Sequence, residues 1–325
     1  MRKALILGLV FLPLGLRAQE VYVSDEGDGV SVLDAAHMSR VAHLDVGGKG
    51  PRGIAVTHDG KWLLTANRDS NDLSIIARDT GQLKARVPIG PSTEMVRATD
   101  DMAYVTYEPP GDKGGFAHVA VVDLARRRVI ADFPSGHETE GLELSLDGKF
   151  LLVANEADDT VRVYGIPGYR LVNVVRTGAY GSRPRGIKRL PGGQGYIVTL
   201  ESSAKFIVLN SQFQIVKEVA TAQGPYGVAF SPDGKRIIIA AARAGLLQAF
   251  DAQTFNHIAD GDVGKRCWHF AFIDDGRRIV AACGRSNALF VMDAASLRRI
   301  STLRGFAIPW GVVTYPVASS SLDGP

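Results

Sequence analysis

No stretch of this sequence repeats apolar residues at the helical period over a window long enough for an amphipathic helix, which excludes helical bundles and α/β folds. Cysteine is nearly absent, with two residues in 325. Neither Cys-x-x-Cys nor Cys-x-x-Cys-His occurs, so a thiolate metal centre and a covalently attached c-type haem have no sequence support. The seven histidines are scattered and give neither His-x-x-His nor His-Glu-x-x-His, so the helix-borne zinc signature is missing too. An excess of one charge is also lacking, with 37 Lys+Arg against 34 Asp+Glu and no basic stripe, which argues against a nucleic-acid surface.

Long apolar runs are lacking except at the start. Arg2 and Lys3 precede an apolar run from Ala4 to Leu16, which closes on Arg17-Ala18. A charged start, a short apolar core and a small residue describe a secretory signal peptide over 1–18, too short to span a bilayer comfortably. Cleavage after Ala18 would leave 34 charges of each sign and a periplasmic or secreted protein.

What the chain has in abundance is a repeat. Pro51-Arg52-Gly53 opens a unit of four short apolar runs divided by turns such as His58-Asp59-Gly60 and Asp79-Thr80-Gly81. Equivalent openings are Thr93-Glu94-Met95, Thr139-Glu140-Gly141, Pro184-Arg185-Gly186, Pro225-Tyr226-Gly227, Cys267-Trp268-His269 and Pro309-Trp310-Gly311. Their third residues lie 42, 46, 45, 41, 42 and 42 residues apart, the period of a β-propeller blade. The seventh opening has room for one strand only, and Val21–Ser24, Val30–Leu33 and Arg40–Val46 supply the other three. The expectation is an all-β, seven-bladed β-propeller over 19–316, with blade seven closed by the N-terminal strands and a disordered tail over 317–325.

The middle residues of the seven openings should form a ring at one mouth of the central channel: Arg52, Glu94, Glu140, Arg185, Tyr226, Trp268 and Trp310. Two arginines, two glutamates and three aromatics suit a small anionic or aromatic ligand, or a partner's aromatic anchor. Equally, Arg52–Glu94 and Glu140–Arg185 could simply pair and fill the mouth. The loops after the second strands add Arg68, Glu156, Glu201, Arg243 and Arg285 to the same face. In blade two an insertion over Tyr107–Phe116 is the candidate specificity loop.

His37, His43 and His257 fall on outer strands or turns, whereas His137 and His269 lie near the ring and, with Glu94 or Glu140, are the weak catalytic candidates. Asp25-Glu26-Gly27-Asp28-Gly29 lacks calcium-loop spacing and reads as a solvated hairpin turn. Cys267 and Cys283 flank Asp274-Asp275-Gly276 symmetrically, so they should face each other as a disulfide or as two buried thiols.

The repeat text resembles the YVTN-type (YncE-like) secreted β-propellers, through Val21-Tyr22-Val23-Ser24, Pro51-Arg52-Gly53-Ile54, Ser231-Pro232-Asp233-Gly234-Lys235 and Val291-Met292-Asp293. Gly264-Lys265-Arg266-Cys267-Trp268 and Ile308-Pro309-Trp310-Gly311-Val312 are similar to the propellers associated with PQQ-dependent alcohol catabolism. The resemblance implies a periplasmic, non-catalytic accessory protein that serves quinoprotein dehydrogenases and their cytochromes. The sequence specifies no cofactor or metal of its own, and under this resemblance PQQ or haem would be a bound ligand and a periplasmic redox protein the partner. The alternative is a propeller enzyme, lactonase-like or acting in haem or cofactor maturation.

Overall fold

Each repeat folds as one antiparallel meander of four strands, and the described residues contain seven such sheets. The computed structural model describes residues 19–108 and 115–323, so the expected signal segment lies outside the described residues. Blade one consists of Pro51–Val56, Trp62–Asn67, Asp72–Ala77 and Gln82–Pro88. The innermost strands of blades two to seven are Val96–Ala98, Thr139–Leu144, Pro184–Arg189, Pro225–Phe230, Cys267–Ile273 and Pro309–Tyr315. Each touches the innermost strand of the next blade, and blade seven returns to blade one.

Burial falls from the axis outward. Trp62–Asn67 is buried at every position because both faces of a blade are covered by its neighbours, whereas the outermost strand Ser39–Leu44 is almost wholly exposed. The recurrent Asp-Gly-Lys turn has a local cause. Asp59 accepts hydrogen bonds from the Thr57 hydroxyl at 2.6 Å and the Lys61 amide at 2.9 Å, and Gly60 takes the left-handed φ of 70° that the turn demands. Asp147 and Asp233 repeat both bonds, with Ser145 and Lys149 and with Ser231 and Lys235. This motif is therefore structural.

Blade seven closes as the repeat count requires. Pro309–Tyr315 pairs with Glu20–Asp25, placing Val23 opposite Val312, and Gly29–Asp34 and Ser39–Leu44 complete the sheet. Asp25 is fully buried and accepts the Ala307 and Ile308 amides at 2.7 Å, so the start of the expected solvated turn is instead a strut of the closure. Cys267 and Cys283 stand opposite each other in blade six and form a disulfide.

The C-terminal segment departs from expectation. Residues 317–323 are not a disordered tail but enter the lower end of the channel, where Ser320 bridges Ala271. Ser319 Oγ donates to the Phe230 carbonyl oxygen at 2.5 Å, and Ser321 Oγ accepts the Phe270 amide at 3.0 Å. Arg97 and Lys188 donate to the Leu322 and Asp323 carbonyl oxygens at 2.8 and 2.9 Å. Through side chains and backbone, these serines satisfy backbone groups on the channel side of the inner strands of blades five and six.

Candidate functional site

A β-bulge aims the ring. In blade three the ladder pairs Thr139 with Asn155 and then Leu142 with Val153, so the inner strand carries one extra residue at Glu140-Gly141. The same slip occurs after Pro51, Pro184 and Pro225. The glycine that ends five of the seven openings lets the next blade close in: a Cβ at Gly141 would stand 2.1 Å from the Arg185 carbonyl oxygen, and at Gly53 2.6 Å from that of Glu94.

All seven ring residues line one cavity of about 300 Å³ at the upper mouth, together with Arg68 and Glu156 from the second loops. Glu108 of the candidate specificity loop lines it as well, and so do Ser92, Glu138, Arg183 and Arg266, which sequence reasoning missed. These last four share an origin. Two residues before the ring position the backbone is left-handed at Gly50, Ser92, Glu138, Arg183, Gly224 and Arg266. Glycine adopts that conformation freely, whereas any other residue there is strained by roughly 1–2 kcal/mol. The four non-glycine residues are the four whose side chains line the cavity.

Arg185 is the hub. It pairs with Glu140, with Glu156 at 2.5 Å and with Glu201 at 2.8 Å, while the Tyr226 hydroxyl lies 3.2 Å away. Arg183 pairs with Glu156 from above. Glu201 also binds Arg243 and Arg266, at 3.1 and 3.2 Å. Opposite, Arg52 meets Glu94 at 2.5 Å and Glu26 at 3.2 Å. The expected Arg52–Glu94 and Glu140–Arg185 pairs thus both form.

These pairs leave the carboxyl groups unequal. Burial pushes the Glu201 carboxyl up, but its three arginines more than offset that and hold it below the ordinary range. Glu140 shares Arg185 with two competitors; burial, and then the Glu94 charge, push it up to about 7. Burial also raises Glu108, with Glu94 and Glu138 adding to the effect.

The aromatics divide. Trp310 is 2 % exposed and packs against the His269 ring at 4.4 Å, and Tyr226 is 6 % exposed, so both serve chiefly as the floor. Trp268 is half-buried and lies over Gly284, where a Cβ would meet its ring at 2.0 Å. Trp268 is the aromatic surface available to a visitor.

The candidate histidines do not join this site. His269 occupies the place of the repeat glycine in blade six and points below the ring, its Nδ1 3.0 Å from Ser321 Oγ. Burial, with Arg185 and Lys188 nearby, pushes it down to about 3, so it is neutral. His137 pairs with Asp158 at 2.5 Å and stacks on Phe116 at 4.9 Å, outside the cavity lining. Below the ring only about 10 Å³ of space remains between Tyr226, His269 and Leu322, so the channel is plugged. Arg285, expected at the mouth, lines an adjacent bay instead. Of the blade-two insertion, residues 109–114 lie outside the described residues; Glu108, at its root, lines the mouth. Among the described residues no three His, Cys, Asp or Glu side chains cluster as a metal site.

Residues 18–96 match the family model described as lactonase, 7-bladed beta-propeller, and residues 114–269 match the cytochrome D1 heme domain. The seven-bladed beta-propeller protein Rv1057 of Mycobacterium tuberculosis is 26% identical over 144 residues, 43% of this chain and 35% of that protein. The match thus spans about a third of that relative's length. A protein of unknown function from Desulfotomaculum acetoxidans superposes with a TM-score of 0.80 at 15% identity, covering 91% of this chain and 98% of that one. The chain is a seven-bladed β-propeller protein. The propeller also superposes on dihydro-heme d1 dehydrogenase NirN in complex with DHE, with a TM-score of 0.67 at 16% identity over 90% of this chain and 74% of that one. At such identities the likeness is one of fold.

Proposed function

We propose that this propeller is an extracytoplasmic binding protein whose upper mouth holds a polar, flat ligand or the contact residues of a redox partner, without catalysing a reaction. The observation that carries the reading is the strained collar. Where the left-handed position lines no cavity the chain uses glycine, at Gly50 and Gly224; where it does, the chain carries Ser92, Glu138, Arg183 and Arg266. Twelve other described non-glycine residues are left-handed away from the mouth. Among the six equivalent collar positions, however, the strained ones are those whose side chains reach the cavity, which points to use of those side chains. Five arginines, five glutamates and the Trp268 indole suit a ligand with both donors and acceptors and an aromatic face. The resemblance to PQQ-associated propellers and the partial match to the cytochrome D1 heme domain favour a quinone, a haem or a protein that carries one.

The test is purification from the periplasm, read by intact mass and absorption spectrum, for the wild type and for Trp268→Ala and Glu138→Gly. A quinone, haem or redox protein retained by the wild type and lost from both variants is the expected result. The Glu138→Gly protein should meanwhile melt no lower than the wild type. Identical spectra and partners in all three would overturn the reading.

One observation favours a second reading. Glu140, pushed to about 7 at the cavity wall, has the pKa of a general acid–base group, and the lactonase model matches residues 18–96. Lactone hydrolysis by the wild type, abolished in Glu140→Gln, would decide for it.

A further inference from the structure

Beside the mouth, between blades five and six, lies a separate bay of about 900 Å³. Six cations line it: Arg243, Lys265, Arg266, Arg285, Arg299 and Arg304. Asp262 is the one acidic residue of the lining, and Glu201 reaches Arg243 and Arg266 from the mouth side. Six cations against two carboxylates leave a local excess of four positive charges in a chain whose whole formal excess is three. None of the ion pairs among the described residues involves Lys265, Arg285 or Arg304, and all three side chains are exposed. The cations approach from three sides, on the loop of blade five, the loops of blade six and the outer strand Arg299–Arg304. Such convergence on a concavity suits a compact polyanion better than a flat acidic protein face.

The loops that carry these charges are laced together. Cys267 directly follows Lys265-Arg266, and Cys283 directly precedes Gly284-Arg285-Ser286, so the disulfide joins two cation-bearing loops at their roots. Two hydrogen bonds reinforce it, from the Gly284 amide to the Arg266 carbonyl oxygen at 3.1 Å and from the Lys265 amide to Ser286 Oγ at 2.7 Å. Gly264 is pressed against Phe290 and Ser286, where a Cβ would stand 2.5 Å from each. Arg299 lies over the Phe290 ring at 4.8 Å and donates to the Asp262 carbonyl oxygen. Like charges repel, and flexible loops would splay apart; a covalent tie at the base opposes that.

We propose that this bay binds a compact polyanion bearing several phosphoryl or carboxylate groups, and that the Cys267–Cys283 disulfide holds its two loops at binding distance. Calorimetric titration of the intact oxidised protein with pyrophosphate and with citrate, at about 20 mM and about 200 mM salt, tests it. Saturable binding of at least one probe, weakened at the higher salt, is expected; preference for pyrophosphate assigns a phosphoryl ligand and preference for citrate a polycarboxylate. Arg285→Gln with Arg304→Gln should lower affinity by roughly tenfold or more, whereas Arg128→Gln, on the outer strand of blade two, should leave it unchanged. Cys267→Ser with Cys283→Ser should lower it too; if that variant does not fold, wild type treated with a phosphine reductant replaces it. Failure of both probes to bind, or equal affinity in the Arg285/Arg304 variant, would overturn the site. Undiminished affinity without the disulfide would overturn the role given to it.

Discussion

Arg97 and Asp323 lie 226 residues apart in sequence and meet 3.3 Å apart inside the channel. Arg97 also binds Glu143 at 3.0 Å, and Lys188 stands beside them, pushed down to about 8 by burial and the Arg97 charge. This charged knot joins the inner strands of blades two, three and four to the end of the chain.

Removing one member should be costly, because its partners stay buried. Arg97→Met is expected to lower stability by about 3–5 kcal/mol in denaturant unfolding. Truncation after Val317 should do likewise and also open the channel floor, so that the His269 titration, followed by proton NMR, moves from about 3 back toward 6.5.

Stability should depend on pH through two groups of opposite sign. Glu140 titrates near 7 when folded against an ordinary 4.5, so its contribution is full below pH 4.5 and lost as pH rises toward 7. His269 titrates near 3 against 6.5, so its contribution is full above pH 6.5 and lost as pH falls through 3. Each effect is on the order of a few kcal/mol. Urea unfolding from pH 3 to 8 should show the first slope vanish in Glu140→Gln and the second in His269→Asn. Variant curves parallel to the wild type would refute the assignment.

Two glycines of blade three offer a controlled comparison. Gly141→Ala drives a Cβ to 2.1 Å from the Arg185 carbonyl oxygen, and should cost about 1–3 kcal/mol while shifting the Arg185 hub. Gly165→Ala meets nothing nearer than 3.5 Å, and its melting temperature should match the wild type's closely.

The fold was legible because each blade writes its own geometry into local sequence. Turn aspartates, the glycine of close approach and the blade period need no long-range information. The ring was legible for the same reason, since the bulge recurs at one place in the repeat. The collar was not. Glu138, Arg183 and Arg266 line the mouth because their backbone turns left-handed, a conformation that Glu and Arg do not announce. A comparison of the residues two before each ring position, where Glu138, Arg183 and Arg266 stand in place of the glycine at 50 and 224, was the available signal. The tail misled because Ser319-Ser320-Ser321 has a linker's composition, while its partners, Phe230, Phe270 and Ala271, lie about fifty residues or more upstream. Trp310 is in the ring as expected, but it is buried there, because His269 in place of the repeat glycine gives it a ring to pack against.

Blade seven takes three strands from near the start of the chain and its innermost strand from Pro309–Tyr315. During synthesis, Glu20–Leu44 must therefore wait, with an unpaired edge, while six blades are made. The ring can lock only after Tyr315 has left the ribosome, and the residues that follow immediately become the stopper. Synthesis of Pro309–Tyr315 is thus the timing signal for closure, and the six other blades can form before the ring is sealed.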